Sequence, residues 1–90
     1  MQISYSCDVR HATAADLDVV EPLLAALREV DGLRERSRGV FSRRSKAFVH
    51  FHGDPTGVHA DVRVASGDFE RVRVESPDEQ AAFLAIVRSL

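Results

Sequence analysis

Residues 46–63, KAFVHFHGDPTGVHADVR, constrain the fold more than any other stretch of the chain. Val49 and Phe51 alternate with His50 and His52, and Val58, Ala60 and Val62 alternate with His59 and Asp61. Apolar residues at every second position mark a strand buried on one face. Between the two runs, Gly53, Asp54, Pro55, Thr56 and Gly57 supply turn chemistry, because proline fixes φ and glycine permits φ > 0. The segment predicts a β-hairpin. Aligning its apolar faces pairs His52 with Gly57, His50 with His59 and Phe48 with Asp61, around a four-residue loop. His50, His52, His59 and Asp61 then share one polar face, and parity places Phe48 among them.

Outside the hairpin the pattern changes several times. Residues 2–10 alternate Ile3, Tyr5, Cys7 and Val9 with polar residues, which predicts a further strand with Cys7 as an inert buried thiol. Leu17, Val20, Leu24, Leu27 and Val30 recur at helical spacing, with Leu23 beside them. Pro22 would lose a hydrogen bond and clash inside a helix. The regular helix is therefore expected to start at Asp18, with Glu21 three residues on, after a looser turn begun at Thr13. Asp31 and Gly32 are the expected stop. Residues 34–46 hold six of the twelve basic side chains (Arg34, Arg36, Arg38, Arg43, Arg44 and Lys46), with one short strand at 39–42. After a turn at 66–68, Val72 and Val74 face the core and Arg71, Arg73 and Glu75 oppose them. Phe69 has the wrong parity and is assigned to the turn or a bulge.

Ser76, Pro77, Asp78 and Glu79 combine an N-cap, a first-turn proline and a capping-box acid. Phe83, Ile86, Val87 and Leu90 follow as a buried stripe. The order β-α-β-β-β-β-α predicts an α+β two-layer sandwich, one antiparallel sheet with two helices on its apolar face and the other face open.

Ninety residues suit a single domain with one core. A net charge of −2 provides no global attraction to nucleic acid or membrane. One cysteine excludes an internal disulfide and a Cys-rich zinc module. No apolar run approaches the ~20 residues that span a bilayer, and no secretion signal opens the sequence. A soluble cytoplasmic protein is the expectation.

Short motifs add a family resemblance. Val30, Asp31, Gly32, Leu33, Arg34 and Glu35, then Gly39, Val40 and Phe41, then Lys46 to His50 and Val62 to Val64, resemble the YjbR/MmcQ family of small α+β proteins. Ser45 stands where that family commonly has glycine. The resemblance spans roughly residues 30–75 and implies a fold similar to frataxin-like and secretion-chaperone-like sandwiches. It brings a DNA-binding association and no catalytic motif.

Catalysis has no foothold in the residues. There is no Gly-x-Ser-x-Gly turn, no glycine-rich phosphate loop, and no nucleophile placed beside His50. The leading expectation is a non-enzymatic binding or interaction module without a cofactor. Its contact surface is the open sheet face: Phe48, His50, His52, His59, Asp61 and Arg63, bordered by Arg43 and Arg44. The partner is a protein, or a second copy in a two-fold pair with Phe48 as an anchor among Arg63, Arg71 and Arg73. A second reading has residues 34–46 contacting nucleic-acid phosphates. The third is metal binding or a metal-dependent activity, with a divalent zinc or iron held by His50, His52, His59 and Asp61.

Overall fold

Two side-chain caps and two prolines decide where the helices begin. A computed structural model describes residues 10–90. Helix α1 (Ala14–Val19) starts at Thr13, whose hydroxyl accepts from the Asp16 N–H while the Asp16 carboxylate accepts from the Thr13 N–H. Pro22 lies in the first turn of a second helix, α2 (Glu21–Arg28), where its missing N–H leaves no bond unmade. The start expected at Asp18 is thus corrected. Asp18 sits inside α1 and pairs with Arg38. Helix α2 caps at Glu29, before Gly32, which does adopt φ +89°. The last helix, α3 (Pro77–Ser89), begins as expected: Ser76 Oγ accepts from the Glu79 N–H and the Glu79 carboxylate accepts from the Ser76 N–H.

Five strands form an antiparallel meander: β2 (Leu33–Ser37), β3 (Val40–Arg43), β4 (Lys46–Asp54), β5 (Gly57–Arg63) and β6 (Phe69–Arg73). A two-residue strand, β1 (Arg10–His11), pairs with the end of β4. The rest of the strand expected over residues 2–10, Cys7 included, lies outside the described residues. The fold is the expected α+β sheet with helices, but it holds two helices before the meander and one more strand than the sequence pattern indicated. Strand β2 was missed because Leu-Arg-Glu-Arg-Ser offers one apolar side chain to count. Its polar groups are satisfied locally instead: Glu35 accepts from Arg28 and from the Gly39 N–H, and Arg36 Nε donates to Ser42 Oγ at 2.9 Å. Gly39 has φ +81°, and a Cβ there would stand 2.7 Å from Leu17, so the β2–β3 turn is closed by a residue that needs to be glycine.

The central hairpin forms, with its register moved by two. Asp54 pairs with Gly57, His52 with His59, and His50 with Asp61. The expected pairs His50–His59 and Phe48–Asp61 are therefore corrected. Gly53 stays in the strand opposite Val58, and the loop contracts to Pro55 and Thr56. Asp54 Oδ1 accepts from the Thr56 N–H and holds this tight turn. A shift of two keeps every side chain on its face.

The helices cover one face. Leu23, Leu24 and Leu27 of α2, with Val20 before it, meet Phe83 and Val87 of α3 over Phe41, Val49, Phe51, Val58, Ala60, Val62 and Val74. Two phenylalanines depart from their expected places. Ala47 pairs with Ser42 while Val49 pairs with Phe41, so Phe48 is the extra residue of a bulge. The bulge turns it, 4% exposed, into the core beside Val49. Phe69 instead begins β6 opposite Arg63 and stands 39% exposed on the open face.

The β3–β4 connection contains two non-glycine residues at positive φ, Arg44 at 54° and Ser45 at 68°. Two such residues between the paired Arg43 and Lys46 make the turn that matches strand twist, normally reserved for Asn and Gly. Ser45→Gly is expected to stabilise the fold by about 1 kcal/mol, the left-handed penalty of an L-residue less the added chain entropy of glycine. Urea unfolding gives the check, and a loss of stability would mean that Ser45 makes an interaction worth more than this strain.

Candidate functional site

Alternation along β4, β5 and β6 puts three rows of side chains on the sheet face that no described helix covers. His52 lies opposite His59, which lies opposite Arg73; His50 lies opposite Asp61, which lies opposite Arg71; Arg63 lies opposite Phe69. His11 of β1 joins the first row beside His52, with ring centroids 6.2 Å apart. All four histidines of the chain thus gather on one patch, although only three were expected there.

Asp61 is the centre of the patch and is 7% exposed. Arg71 clamps it with Nε on Oδ1 at 2.8 Å and a terminal nitrogen on Oδ2 at 3.1 Å. His52 Nε2 lies 2.9 Å from the same Oδ2, and His50 Nδ1 lies 3.9 Å from it. Burial pushes the Asp61 carboxyl up, but the Arg71 hydrogen bonds and charge, with both histidines, outweigh it and hold the group below its ordinary value. Burial lowers the pKa of His50 despite the Asp61 charge, so its imidazole is neutral at pH 7. Its ring packs edge-on to His52 and to Phe69, at 4.8 and 5.0 Å between centroids. His59 stays apart. Its Nδ1 is buried without a hydrogen-bond partner, 3.6 Å from Asp54 Oδ2. His50, His52 and Asp61 each offer a donor atom within 4.8 Å of the others, and His59 does not complete that group.

A second feature lies at one end of the sandwich, where the β3–β4 turn and the β5–β6 turn meet the last turn of α3. They enclose a groove of about 600 Å³. Arg43, Arg44, Lys46 and Arg63 border it, and Phe48, Val64, Ala65 and Leu90 provide apolar lining. Arg63 is fixed by donating Nε to the Ala47 carbonyl and a terminal nitrogen to the Gly67 carbonyl, with its guanidinium 4.6 Å from the Phe69 ring centroid. Arg43 lies over Phe48 at 5.2 Å. Among the described residues, none of these four cations has a carboxylate partner.

The basic segment 34–46 is therefore not one patch. Arg38 is held by Asp18 and Glu21 on the helix side, and Arg36 is bonded to Ser42. Only Arg43, Arg44 and Lys46 project at the groove. The expected contact residues divide accordingly: His50, His52, His59 and Asp61 form the patch, while Phe48, Arg43, Arg44 and Arg63 belong to the groove. From sequence Lys46 belonged only to the basic segment and Arg71 only to the surroundings of Phe48; the structure puts Lys46 at the groove and Arg71 on Asp61. The alternation of Arg71 against Val72 and Val74 was the signal that placed it on the Asp61 face.

The chain matches no family model, no curated protein and no solved structure. Among the described residues, no helix is long and apolar enough to cross a membrane.

Proposed function

We propose that the protein is a non-enzymatic interaction module that docks an acidic peptide segment of a protein partner, with the groove bordered by Arg43, Arg44, Lys46 and Arg63 as its contact surface. The observation that carries this reading is the contrast among cations. Among the described residues, Arg28, Arg38, Arg71 and Arg73 are ion-paired within the molecule. Arg34, Arg36 and Arg88 are not, and neither are the four around the groove, which differ in sharing one apolar-lined cleft. Unpaired cations beside an apolar floor favour a ligand with carboxylates and an apolar anchor. The resemblance to YjbR/MmcQ proteins is compatible with this reading and contributes no site residue. A nucleic acid fits the groove less well. Among the described residues Phe69 is the one half-exposed aromatic beside these cations, and Arg63 and His50 already pack against its ring, where a base would have to compete with them.

Fluorescence anisotropy at about 50 mM salt tests the assignment with a labelled peptide of alternating Glu and Leu, against mixed-sequence DNA and RNA of equal length. Saturable peptide binding is expected, weakened by salt and reduced at least about tenfold by Arg43→Glu with Arg44→Glu. Arg44 is exposed in the turn, whereas Arg43 ends β3 half-buried over Phe48. Arg44→Glu with Lys46→Glu, both exposed, is therefore the variant whose melting curve should match the wild type while its binding weakens in the same direction. Tighter binding of DNA or RNA would transfer the groove to nucleic acid. Binding of none of the three, or a partner found only as a second copy by sedimentation, would remove the acidic-peptide reading.

A further inference from the structure

The geometry of the histidine patch points to a second site, independent of the groove: we infer that His50, His52 and Asp61 bind one divalent transition-metal ion of the zinc class. The three donors sit on two paired strands of the central hairpin, so backbone hydrogen bonds fix their spacing rather than a flexible loop. His50 and His52 are two apart on β4 and point the same way; Asp61 faces His50 from β5. In a four-coordinate zinc site with bonds of about 2.0–2.1 Å, neighbouring donors lie about 3.3–3.4 Å apart. Asp61 Oδ2 is 2.9 Å from His52 Nε2 and 3.9 Å from His50 Nδ1, distances that bracket this value. All three donors lie within 4.8 Å of one another. Closing the widest pair, up to 4.8 Å apart, to about 3.4 Å takes up to about 1.4 Å of movement, shared between two side chains.

The surroundings suit a cation of this kind. Arg71 anchors Asp61 through both oxygens, at 2.8 Å on Oδ1 and a longer 3.1 Å on Oδ2, and so fixes Oδ2 beside the two imidazoles, the orienting role that outer groups play around metal ligands. The Arg71 charge also sets a limit. It opposes a divalent ion and favours a site that loads and unloads over one that is permanently filled. His52 Nε2 in the metal-free chain shares a proton with Asp61 Oδ2, and the ion takes the place of that proton once His52 carries its own on Nδ1. Two nitrogens and one oxygen leave a coordination position for water. His59 takes no part, which separates this set from the His50–His59 pairing that the sequence pattern suggested.

The probe is zinc chloride added to metal-stripped protein at pH 7.5, followed by calorimetry and by side-chain NMR of the four imidazoles. One-to-one binding is expected, with His50 and His52 resonances moving together to an endpoint at one equivalent. His50→Ala and His52→Ala should each weaken binding at least about tenfold, since even outer-shell losses weaken metal sites by about that much. His59→Asn should change it less than about threefold. Lowering the pH to 5.5 should weaken binding in the wild type, because protons compete for both imidazoles. The NMR pattern needs no variant and holds if a substitution unfolds the chain. Absence of saturable zinc binding, binding in which His59 or His11 moves as much as His50, or affinity unchanged in His52→Ala would each overturn the site.

Discussion

Replacing Asp61 by alanine is expected to lower stability by about 2 kcal/mol at pH 7, the loss of charge-assisted hydrogen bonds from a buried acceptor. Asp61 is nearly buried, and it accepts both nitrogens of Arg71 and one of His52. Arg71 itself is 42% exposed, so its freed charge regains water and the cost stays below that of a fully buried broken pair. The pH dependence gives the stricter check. The Asp61 carboxyl titrates below its ordinary 3.8 in the fold, so its contribution is complete above that value and is lost as pH falls through the lower folded one. Wild type and Asp61→Asn should therefore converge in acid. His50, lowered by burial from 6.5, acts in a higher window: the unfolded chain takes up its proton first, so stability falls as pH drops below 6.5 towards the folded value. Substituting His50 by asparagine should flatten that segment of the curve alone. Urea midpoints across this pH range measure both windows. A His50→Asn curve parallel to the wild type would show that His50 is not desolvated.

Gln80→Leu is expected to cost about 2–3 kcal/mol, although leucine has similar volume and greater hydrophobicity, because buried acceptors are left without their donor. Gln80 is 9% exposed, and its Nε2 donates to the Val19 carbonyl at 3.2 Å and to the Val74 carbonyl at 3.1 Å. One amide thus ties α3 to the end of α1 and to the chain leaving β6. Gln80→Glu should be worse still at neutral pH. A carboxylate there would face two carbonyl oxygens, its pKa would rise, and stability should fall as pH increases through that raised value. A Gln80→Leu variant within about 0.5 kcal/mol of wild type would mean that water or a small shift satisfies both carbonyls.

Neither Gln80 nor Asp61 announces its role in the sequence. Gln80 reads as one polar residue in the first turns of a helix, and its partners lie 61 and 6 residues away. Asp61 was placed correctly on the histidine face, because parity along β5 is a local property. The capping box at Ser76 was legible for the same reason: it depends on neighbours within one turn.

What the sequence by itself determined is which face each strand residue of the central hairpin takes. Period-two alternation in Val49–Phe51 and Val58–Val62 admits one assignment of sides, and it places His50, His52, His59 and Asp61 together. It cannot choose between registers that differ by two, because those leave every side in place. That choice fell to tertiary structure, through the Asp54 turn and the burial of Gly53 opposite Val58, and it decided that His50 meets Asp61 rather than His59. The same holds for the two phenylalanines. Counting by twos sends Phe48 outward, and only the pairing of β4 with β3 reveals the bulge that turns it inward. Strand β2 exists through backbone bonds to β3 that its charged side chains do not advertise. Side-chain pattern is written locally in the chain, whereas register, bulges and edge strands are set by backbone groups identical in every residue, and only the assembled sheet decides which of them meet.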